Sequence, residues 1–477
     1  MRDLPATVLI GIALVDAYAI ARAIVRHHGV GTTLAWIFAI LAFPLIGAVT
    51  YFMVAVPRVR RTARRKRVKA AEIRAALRVG AAPGSAAGGG EGEGARTALL
   101  RLTTNLTGFP PSGGNALELL TDDDHAFERI EAALSRARCS VWAEYYIVSN
   151  DRTGRGFLDL LARKAAEGVE VRFLYDGVGS LGLDPGRLRA IQKAGGRCEV
   201  FFPLNPLRRR WSFNLRNHRK VIVVDGALGF TGGMNIGDKY SGRSRRLGAR
   251  HFRDSHLELR GPAVGDLARI FAEDWHFATG EELAPAGRPA RVDGADSVVA
   301  VLPSGPDQEL NASSMVYFSG VATARERVWL TSPYFIPDEP LVRALIGSVL
   351  RGVDVRLLVP ARSDVPIAAM AGRSYYEQLV RGGVRLYRFQ PSMLHAKAMV
   401  VDGEWGMVGS ANVDLRSFNL NFEMSAVVVD AAFARKLEAR FLDALEHSVE
   451  LEAAAFEKYG LLARLRDGAV RLLSPLL

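Results

Sequence analysis

Hydrophobic and polar positions change pattern several times along the chain. The first pattern is a pair of long apolar runs. Leu4 to Ile24 is interrupted only by Asp16 and Arg22, and Thr32 to Val56, TTLAWIFAILAFPLIGAVTYFMVAV, carries no charge. At about 1.5 Å per residue the second run is long enough to cross a bilayer core of about 30 Å. Trp36 and Tyr51 lie toward its ends, where amphipathic rings favour the interface, and Pro44 is tolerable within a membrane helix. A mid-bilayer carboxylate, Asp16, makes the first run the weaker span. Together they predict a helical hairpin, with an interfacial or re-entrant helix as the alternative for the first run. A cleaved signal peptide fits less well: its positive n-region would be Arg2 alone, and a second span follows at once.

Residues 79–95, VGAAPGSAAGGGEGEGA, hold too little apolar surface to fold and predict a flexible tether. Beyond them the pattern repeats itself. Ser140 to Gly177 and Arg327 to Ala361 each read as an apolar strand, a short turn, a helix with apolar residues at 3–4 spacing, and a second strand, EVRFL or DVRLL. A glycine after each helix fits a C′ position. Strand, helix, strand predicts parallel pairing through a crossover, and alternation of such units predicts an α/β body of two homologous lobes. The tail, GLLARLRDGAVRLLSPLL, has an amphipathic period. It suits either the membrane interface or packing on the body.

Charge sharpens this picture. The net charge is +12. Residues 1–69 hold eleven Arg and Lys against two Asp, so +9 sits there and +3 on the remaining 408 residues. A nucleic-acid-binding body carries its basic face on the folded domain, so no nucleic-acid partner is expected. The run RVRRTARRKRVK, residues 58–69, instead marks the cytoplasmic side of a membrane exit. A second basic, aromatic stretch, RRRWSFNLR at 208–216, suits anionic headgroups and a solvated charge run equally. Two cysteines, Cys139 and Cys198, exclude a disulfide framework and a Cys-based zinc site.

The candidate chemistry lies where the repeat is most polar. NHRKVIVVDGALGFTGGMNIG starts at Asn217 and LHAKAMVVDGEWGMVGSANVD at Leu394. Both contain His-x-Lys-x-x-x-x-Asp: His218, Lys220 and Asp225, then His395, Lys397 and Asp402. Both continue to Gly-(Gly/Ser)-x-Asn: Gly232, Gly233 and Asn235, then Gly409, Ser410 and Asn412. His and Lys at i and i+2 share one strand face. Asp-Gly predicts a hairpin turn whose return brings the small-residue loop back beside them. Backbone N–H groups of that loop, the Asn and the Lys together predict an oxyanion cradle for a phosphate. Two copies would supply two imidazoles to one phosphorus, one as nucleophile and one as proton donor. No acidic cluster has metal-ligand spacing, so the lysines take the charge-neutralising role and neither metal nor cofactor is expected. Aligning the halves places Asp254 where Glu423 stands, and offers one acid to each half to orient its imidazole, with Glu258 the alternative in the first. Asp225 and Asp402 suit a turn cap better than proton transfer. His27 and His28 fall in the predicted inter-helix loop, and His125, His251, His276 and His447 have no counterpart in the other half and suit surface or packing positions. His256 lies close enough to Asp254 to line a site.

The paired motifs closely resemble the phospholipase D superfamily, and within it the bacterial cardiolipin synthases. The likeness extends to AEYYIVSNDRTG, FRDSHLELRGPAV, TSPYFIPDEP and GSANVDLRSFNLNFE. One departure is Gly233, where the second half and many relatives carry Ser. The resemblance implies two homologous phospholipase D-like α/β lobes with the active site between them, preceded by an N-terminal transmembrane helical hairpin. Residues 1–57 are then the anchor, 58–100 the basic and Gly-rich linker, 101–285 the first lobe and 286–477 the second. It implies phosphatidyl transfer between two phosphatidylglycerol molecules, giving cardiolipin and glycerol through a phosphatidyl-histidine. His218 would be the nucleophile and His395 the acid/base. The expected location is the bacterial inner membrane, multi-pass, with the lobes in the cytoplasm. A phospholipase D-type hydrolase, or a phosphatidyltransferase with another alcohol acceptor, is the alternative.

Overall fold

The computed structural model describes residues 5–25, 30–54, 93–121, 123–205, 212, 214–242, 251–285, 287–308, 310–457 and 459–472. The basic run 58–69, His27, His28, most of the Gly-rich stretch 79–95, most of RRRWSFNLR and the last five residues lie outside these. The chain divides into two compact units, residues 1–65 with 212–214, and the remainder.

In the first unit the apolar runs do not fold as their charge content implies. The run with Asp16 is one continuous helix, α1 (Ala6–Val25), 20 residues long and apolar enough to cross a membrane. The uncharged run is broken into α2 (Val30–Ala42) and α3 (Ile46–Val54). Pro44 is the cause: it lacks an N–H and disfavours the helical conformation for Phe43. Leu45 then takes a positive φ of 65°. Its amide, stranded at the break, donates to Asp16 at 3.0 Å. The carboxylate that weakened the first span in sequence therefore satisfies the break in the second. Gly47 lets the broken halves close, since a Cβ there would lie 2.5 Å from Ala39 O. Trp36 and Tyr51, expected at opposite ends of one span, meet edge-on at 5.5 Å.

In the second unit, the first lobe supplies β1 (Ser112–Leu120), β2 (Ser140–Tyr145), β3 (Glu170–Tyr175), β4 (Arg197–Val200), β5 (Arg216–Asn217), β6 (Val221–Val224), β7 (Leu228–Gly232), β8 (Phe252–Arg253) and β9 (His256–Arg260). The second supplies β10 (Ser297–Ser304), β11 (Arg327–Thr331), β12 (Phe335–Ile336), β13 (Asp354–Pro360), β14 (Arg385–Phe389), β15 (Met393–Leu394), β16 (Ala398–Val401), β17 (Trp405–Gly409), β18 (Val413–Asp414), β19 (Asn421–Val429) and β20 (Ser448–Glu450). From one edge the first lobe runs β4-β3-β2-β6-β7-β9-β1. From the other edge, after β20, the second runs β14-β13-β11-β16-β17-β19-β10. The orders match strand for strand, and β1 pairs antiparallel with β10 at the centre. The two lobes thus form one sheet with pseudo-two-fold symmetry.

The strand–helix–strand units pair in parallel as their patterning predicts, β2 with β3 and β11 with β13. Their helices, Arg152–Ala166 and Glu339–Leu350, start on Asp151 and Asp338, which accept from Gly154 N and Leu341 N. They end before Gly168 and Gly352, at φ 87° and 88°. Each lobe has its own apolar core. The helix Glu93–Thr107 departs from the expected boundaries. It begins inside the predicted linker, and its Leu99, Leu102 and Leu106 pack into the second lobe's core. The tail helix Leu461–Arg471 packs on the second-lobe helix Pro366–Arg381.

Candidate active site

The two motifs meet where the lobes exchange short strands. β5 pairs in parallel with β19, placing Asn217 opposite Phe422, and His218 N–H donates to Phe422 O at 2.8 Å. β8 pairs in parallel with β15, placing Arg253 opposite Leu394, and His395 N–H donates to Arg253 O at 2.8 Å. Each histidine backbone is thereby pinned one residue away from the other lobe's acid.

This pinning decides the orienting pairs. His218 Nδ1 lies 2.8 Å from Glu423 Oε2, and His395 Nδ1 lies 2.6 Å from Asp254 Oδ2. The acids are those expected from the halves, but each serves the histidine of the opposite lobe. Glu258, the alternative in the first half, instead pairs with Arg129 at 2.7 Å. Ser410 Oγ and Asn421 Nδ2 also donate to Glu423, at 2.5 and 3.1 Å.

The lysines stand between these pairs. Lys220 and Lys397 are buried, and Lys220 Nζ donates to His218 O at 2.6 Å. Lys397 Nζ lies 2.7 Å from His395 Nδ1 and 3.7 Å from Asp254. Burial lowers both lysine pKa values, while Glu423 and Asp254 draw them back up. Burial also pushes the His218 imidazole down to about 4, against the pull of Glu423, with Lys220 and Lys397 adding to the fall. His395 is lowered by burial and then by Lys397. Burial opposes ionisation of Asp254 and Glu423, but the lysines and imidazoles prevail and hold both below the usual carboxylate range. The site therefore presents neutral imidazoles between fixed carboxylates and two buried amines. Among the described residues no group of His, Cys, Asp or Glu is arranged to hold a metal ion.

The small-residue loops do something other than cradle a phosphate. Gly233 N–H donates to Ser255 O at 3.0 Å and Ser410 N–H to Met424 O at 2.8 Å. These amides hold the acid-bearing strands and do not open to an anion. Asn235 is likewise engaged: its Oδ1 accepts from Ile147 N at 3.1 Å and its Nδ2 donates to Tyr240 at 3.0 Å. The Asn412 side chain hydrogen-bonds Asp414. The loops seat the acids. A Cβ at Gly233 would lie 2.1 Å from Asp254 Oδ1, and one at Gly409 2.1 Å from Ser425 Oγ. Gly232, at φ 151°, lies against His256, whose Nδ1 would be 2.7 Å from an added Cβ.

Asp225 and Asp402 sit at the hairpin turns, both at positive φ (51° and 53°) and each followed by a positive-φ glycine. Asp225 accepts from the amides of Arg138, Cys139 and Ser140, and Asp402 from those of Arg325, Glu326 and Arg327. Neither carboxylate bonds a motif His or Lys. They splice the turn to the start of the neighbouring antiparallel strand, β2 or β11.

Several site residues carry no signal in the motif spacing. Tyr146 packs edge-on against His218 at 4.7 Å, and Phe252 stacks on His395 at 5.1 Å. Arg219, between His218 and Lys220, is buried. It pairs with Asp274 and donates Nε to Glu423 O at 3.0 Å. Glu144, also buried, accepts from Asn217, and burial beside Asp274 raises its pKa well above the usual range. The second half has Ala396 in place of Arg219 and Thr331 in place of Glu144, so comparing the halves gives no hint of this network. His256 is fully buried with neither ring nitrogen hydrogen-bonded among the described residues, and burial pushes it down to about 4.

The sequence pattern described as "Cardiolipin synthase, PLD-like domain" matches residues 130–275 and 318–445, the two lobes just described. The chain belongs to the cardiolipin synthase family of phospholipase D-like proteins. "Phospholipase D-nuclease N-terminal" matches residues 12–55. Cardiolipin synthase 2 of Bacillus cereus is 41% identical over 382 residues, covering 80% of this chain and 74% of its own. Cardiolipin synthase of Alkalihalophilus pseudofirmus is 38% identical over 463 residues, covering 93% and 89%. The crystal structure of a phosphatidylserine synthase from Haemophilus influenzae superposes with TM-score 0.61 at 14% identity, covering 80% of this chain and all of the other, a likeness of fold. Family membership and the apolar helix α1 associate the chain with membranes.

Proposed function

We propose that this chain is a phosphatidyltransferase that joins two phosphatidylglycerol molecules into cardiolipin and glycerol. The observation that carries the reading is the crossed pair of buried His–carboxylate contacts. It supports a single site that both lobes build, and the relatives aligned over most of the chain are cardiolipin synthases.

The reaction follows from the proton inventory. His218 Nδ1–H donates to Glu423, which leaves the Nε2 lone pair for attack on phosphorus. A nucleophile must be unprotonated, and burial keeps this ring so at neutral pH. As the P–N bond forms, the bond to the leaving glycerol oxygen breaks, and that oxygen takes the proton from His395 Nε2. Burial and Lys397 lower the His395 pKa. Arrival of the phosphodiester anion raises it again, so substrate binding takes up the proton that the leaving group needs. In the second half-reaction a glycerol hydroxyl of another phosphatidylglycerol gives its proton back to His395 and attacks phosphorus. The P–N bond breaks, cardiolipin leaves and His218 is restored. Lys220 and Lys397 neutralise charge that accumulates on the phosphoryl oxygens.

In this reading residues 1–57 anchor the enzyme as a re-entrant or two-pass hairpin. The positive run 58–69 keeps the lobes cytoplasmic, and the catalytic body begins at about Glu93. Purified protein supplied with phosphatidylglycerol alone tests the activity. Cardiolipin and glycerol in equal amounts are expected. Phosphatidic acid as the sole lipid product would reject transfer in favour of hydrolysis. With labelled lipid, the trapped adduct should map to His218 and persist in His395→Ala. An adduct on His395 would reverse the two roles.

A further inference from the structure

The tail helix Leu461–Arg471 is built inside out. Its buried side chain is a carboxylate: Asp467 is 1% exposed and bonds Arg373 at 3.1 Å and the Tyr459 hydroxyl at 2.5 Å. Its leucines face outward. Leu461, Leu462 and Leu465 are 71, 82 and 59% exposed, and Leu472 just beyond is 78% exposed. Positions 461, 465 and 472 align on one helical stripe, with 462 beside it. A surface helix of a soluble body does the reverse, turning leucines to the core and acids to water.

The stripe is flanked by positive charge. Arg464 and Arg471 border it on one side and Arg466 on the other. Beside the helix lies a cavity of about 360 Å³ lined by Arg373, Arg388, Arg464 and Arg471 against Glu377 and Asp467. Arg373 pairs with Asp467 and Arg464 with Glu377 at 3.3 Å, and Arg388 and Arg471 add positive charge to the lining, which suits a phosphate. The helix also reaches the active site. Val470 packs in a cluster with Ile336, Ala371 and Tyr334, and the Tyr334 ring lies 6.5 Å from His395.

We propose that this helix lies in the headgroup layer of an anionic bilayer, with its leucines among the acyl chains and the arginine-lined cavity holding a lipid phosphate. The proposal rests on reading the chain as an enzyme of membrane phospholipid. It adds a second contact with the membrane, placed against the wall of the active site. A second copy of the chain would bring the same arginines face to face, whereas anionic headgroups complement them.

The test uses the full chain with Cys139→Ser and an environment-sensitive dye on Leu462→Cys, reconstituted in phosphatidylcholine vesicles with and without phosphatidylglycerol. The dye should shift to the blue and be quenched by lipid-borne nitroxide, more so with phosphatidylglycerol and less at high salt. A dye that stays in water in both vesicles overturns the proposal. So does shielding that depends on protein concentration and not on lipid, which would signal a second copy. Leu461→Ser/Leu462→Ser/Leu465→Ser should slow turnover of bilayer substrate about tenfold through KM, as expected when interfacial apolar area is lost. Absent cardiolipin formation with the dye signal intact would count against the activity alone. Cardiolipin formation without the dye signal would count against the docking alone.

Discussion

At the level of single residues the site is a pair of imidazoles whose orienting acids are exchanged. His218 answers to Glu423 and His395 to Asp254. Glu423→Gln keeps the shape of the side chain but removes the charge that fixes the Nδ1–H tautomer. Loss of such an orienting partner is expected to slow transfer by about 100-fold or more. The crossing makes the prediction specific. In histidine-labelled protein Glu423→Gln should move the His218 resonances and leave those of His395 in place, while Asp254→Asn should do the opposite. If each substitution perturbs the ring of its own lobe instead, the exchanged pairing is wrong. The motif histidines and lysines were legible because both recur at one spacing, and the acids because each begins an apolar strand after the Asn loop of its half. Their cross-pairing was not, since aligning two halves matches like with like while a two-fold axis sets each residue against its opposite. The loops misled for a related reason. A Gly-rich segment advertises free amides, but Gly233 and Ser410 spend theirs on the strands that carry Asp254 and Glu423.

At the level of elements the hairpin turn explains the aspartate that closes each motif. Asp225 and Gly226 occupy the two central positions of a turn closed by Ala227 N–H on Val224 O at 3.0 Å. The carboxylate then gathers three amides at the head of β2. Those hydrogen bonds lower its pKa although partial burial opposes ionisation. Asp225→Ala strands the amides and should cost about 1–3 kcal/mol of stability. Transfer per folded molecule should stay within about threefold, because this carboxylate is bonded to backbone and not to the reacting groups. A lower unfolding midpoint with preserved kcat supports the turn role. A loss of kcat of the size seen for a motif histidine would restore the aspartate to the chemistry. The sequence pattern predicted these turns correctly from Asp-Gly between apolar strands. It misjudged the membrane segment because charge counts rank apolar runs by transfer cost, not by what a proline does to the backbone. Pro44 divides the cleaner run, and Asp16 in the other satisfies the amide that the break exposes.

At the level of the whole molecule, folding and the state of the site are one equilibrium. Each lobe lacks the acid for its own histidine, and the central β1–β10 pairing joins both cores in one sheet. The boundary expected for the first lobe cuts through a helix that packs on the second, since local patterning cannot say which core a helix joins. Folding desolvates the rings and depresses His218 and His256 to about 4, with His395 moving the same way. An unfolded histidine titrates near 6.5. Between about pH 6.5 and 4 the unfolded chain therefore binds more protons than the folded one, so stability is complete above this window and is lost as pH falls through it. For a fully buried ring the loss is on the order of 3 kcal/mol. His256→Ser isolates one contribution, because Ser425 already fills the equivalent position opposite Gly409. Denaturant unfolding from pH 7 down to 4 should steepen with acid in the parent chain, and the variant should show a slope smaller by about one proton. An unchanged slope would mean that the His256 ring is not held neutral by the fold, and the acid sensitivity would then belong to the catalytic pair alone.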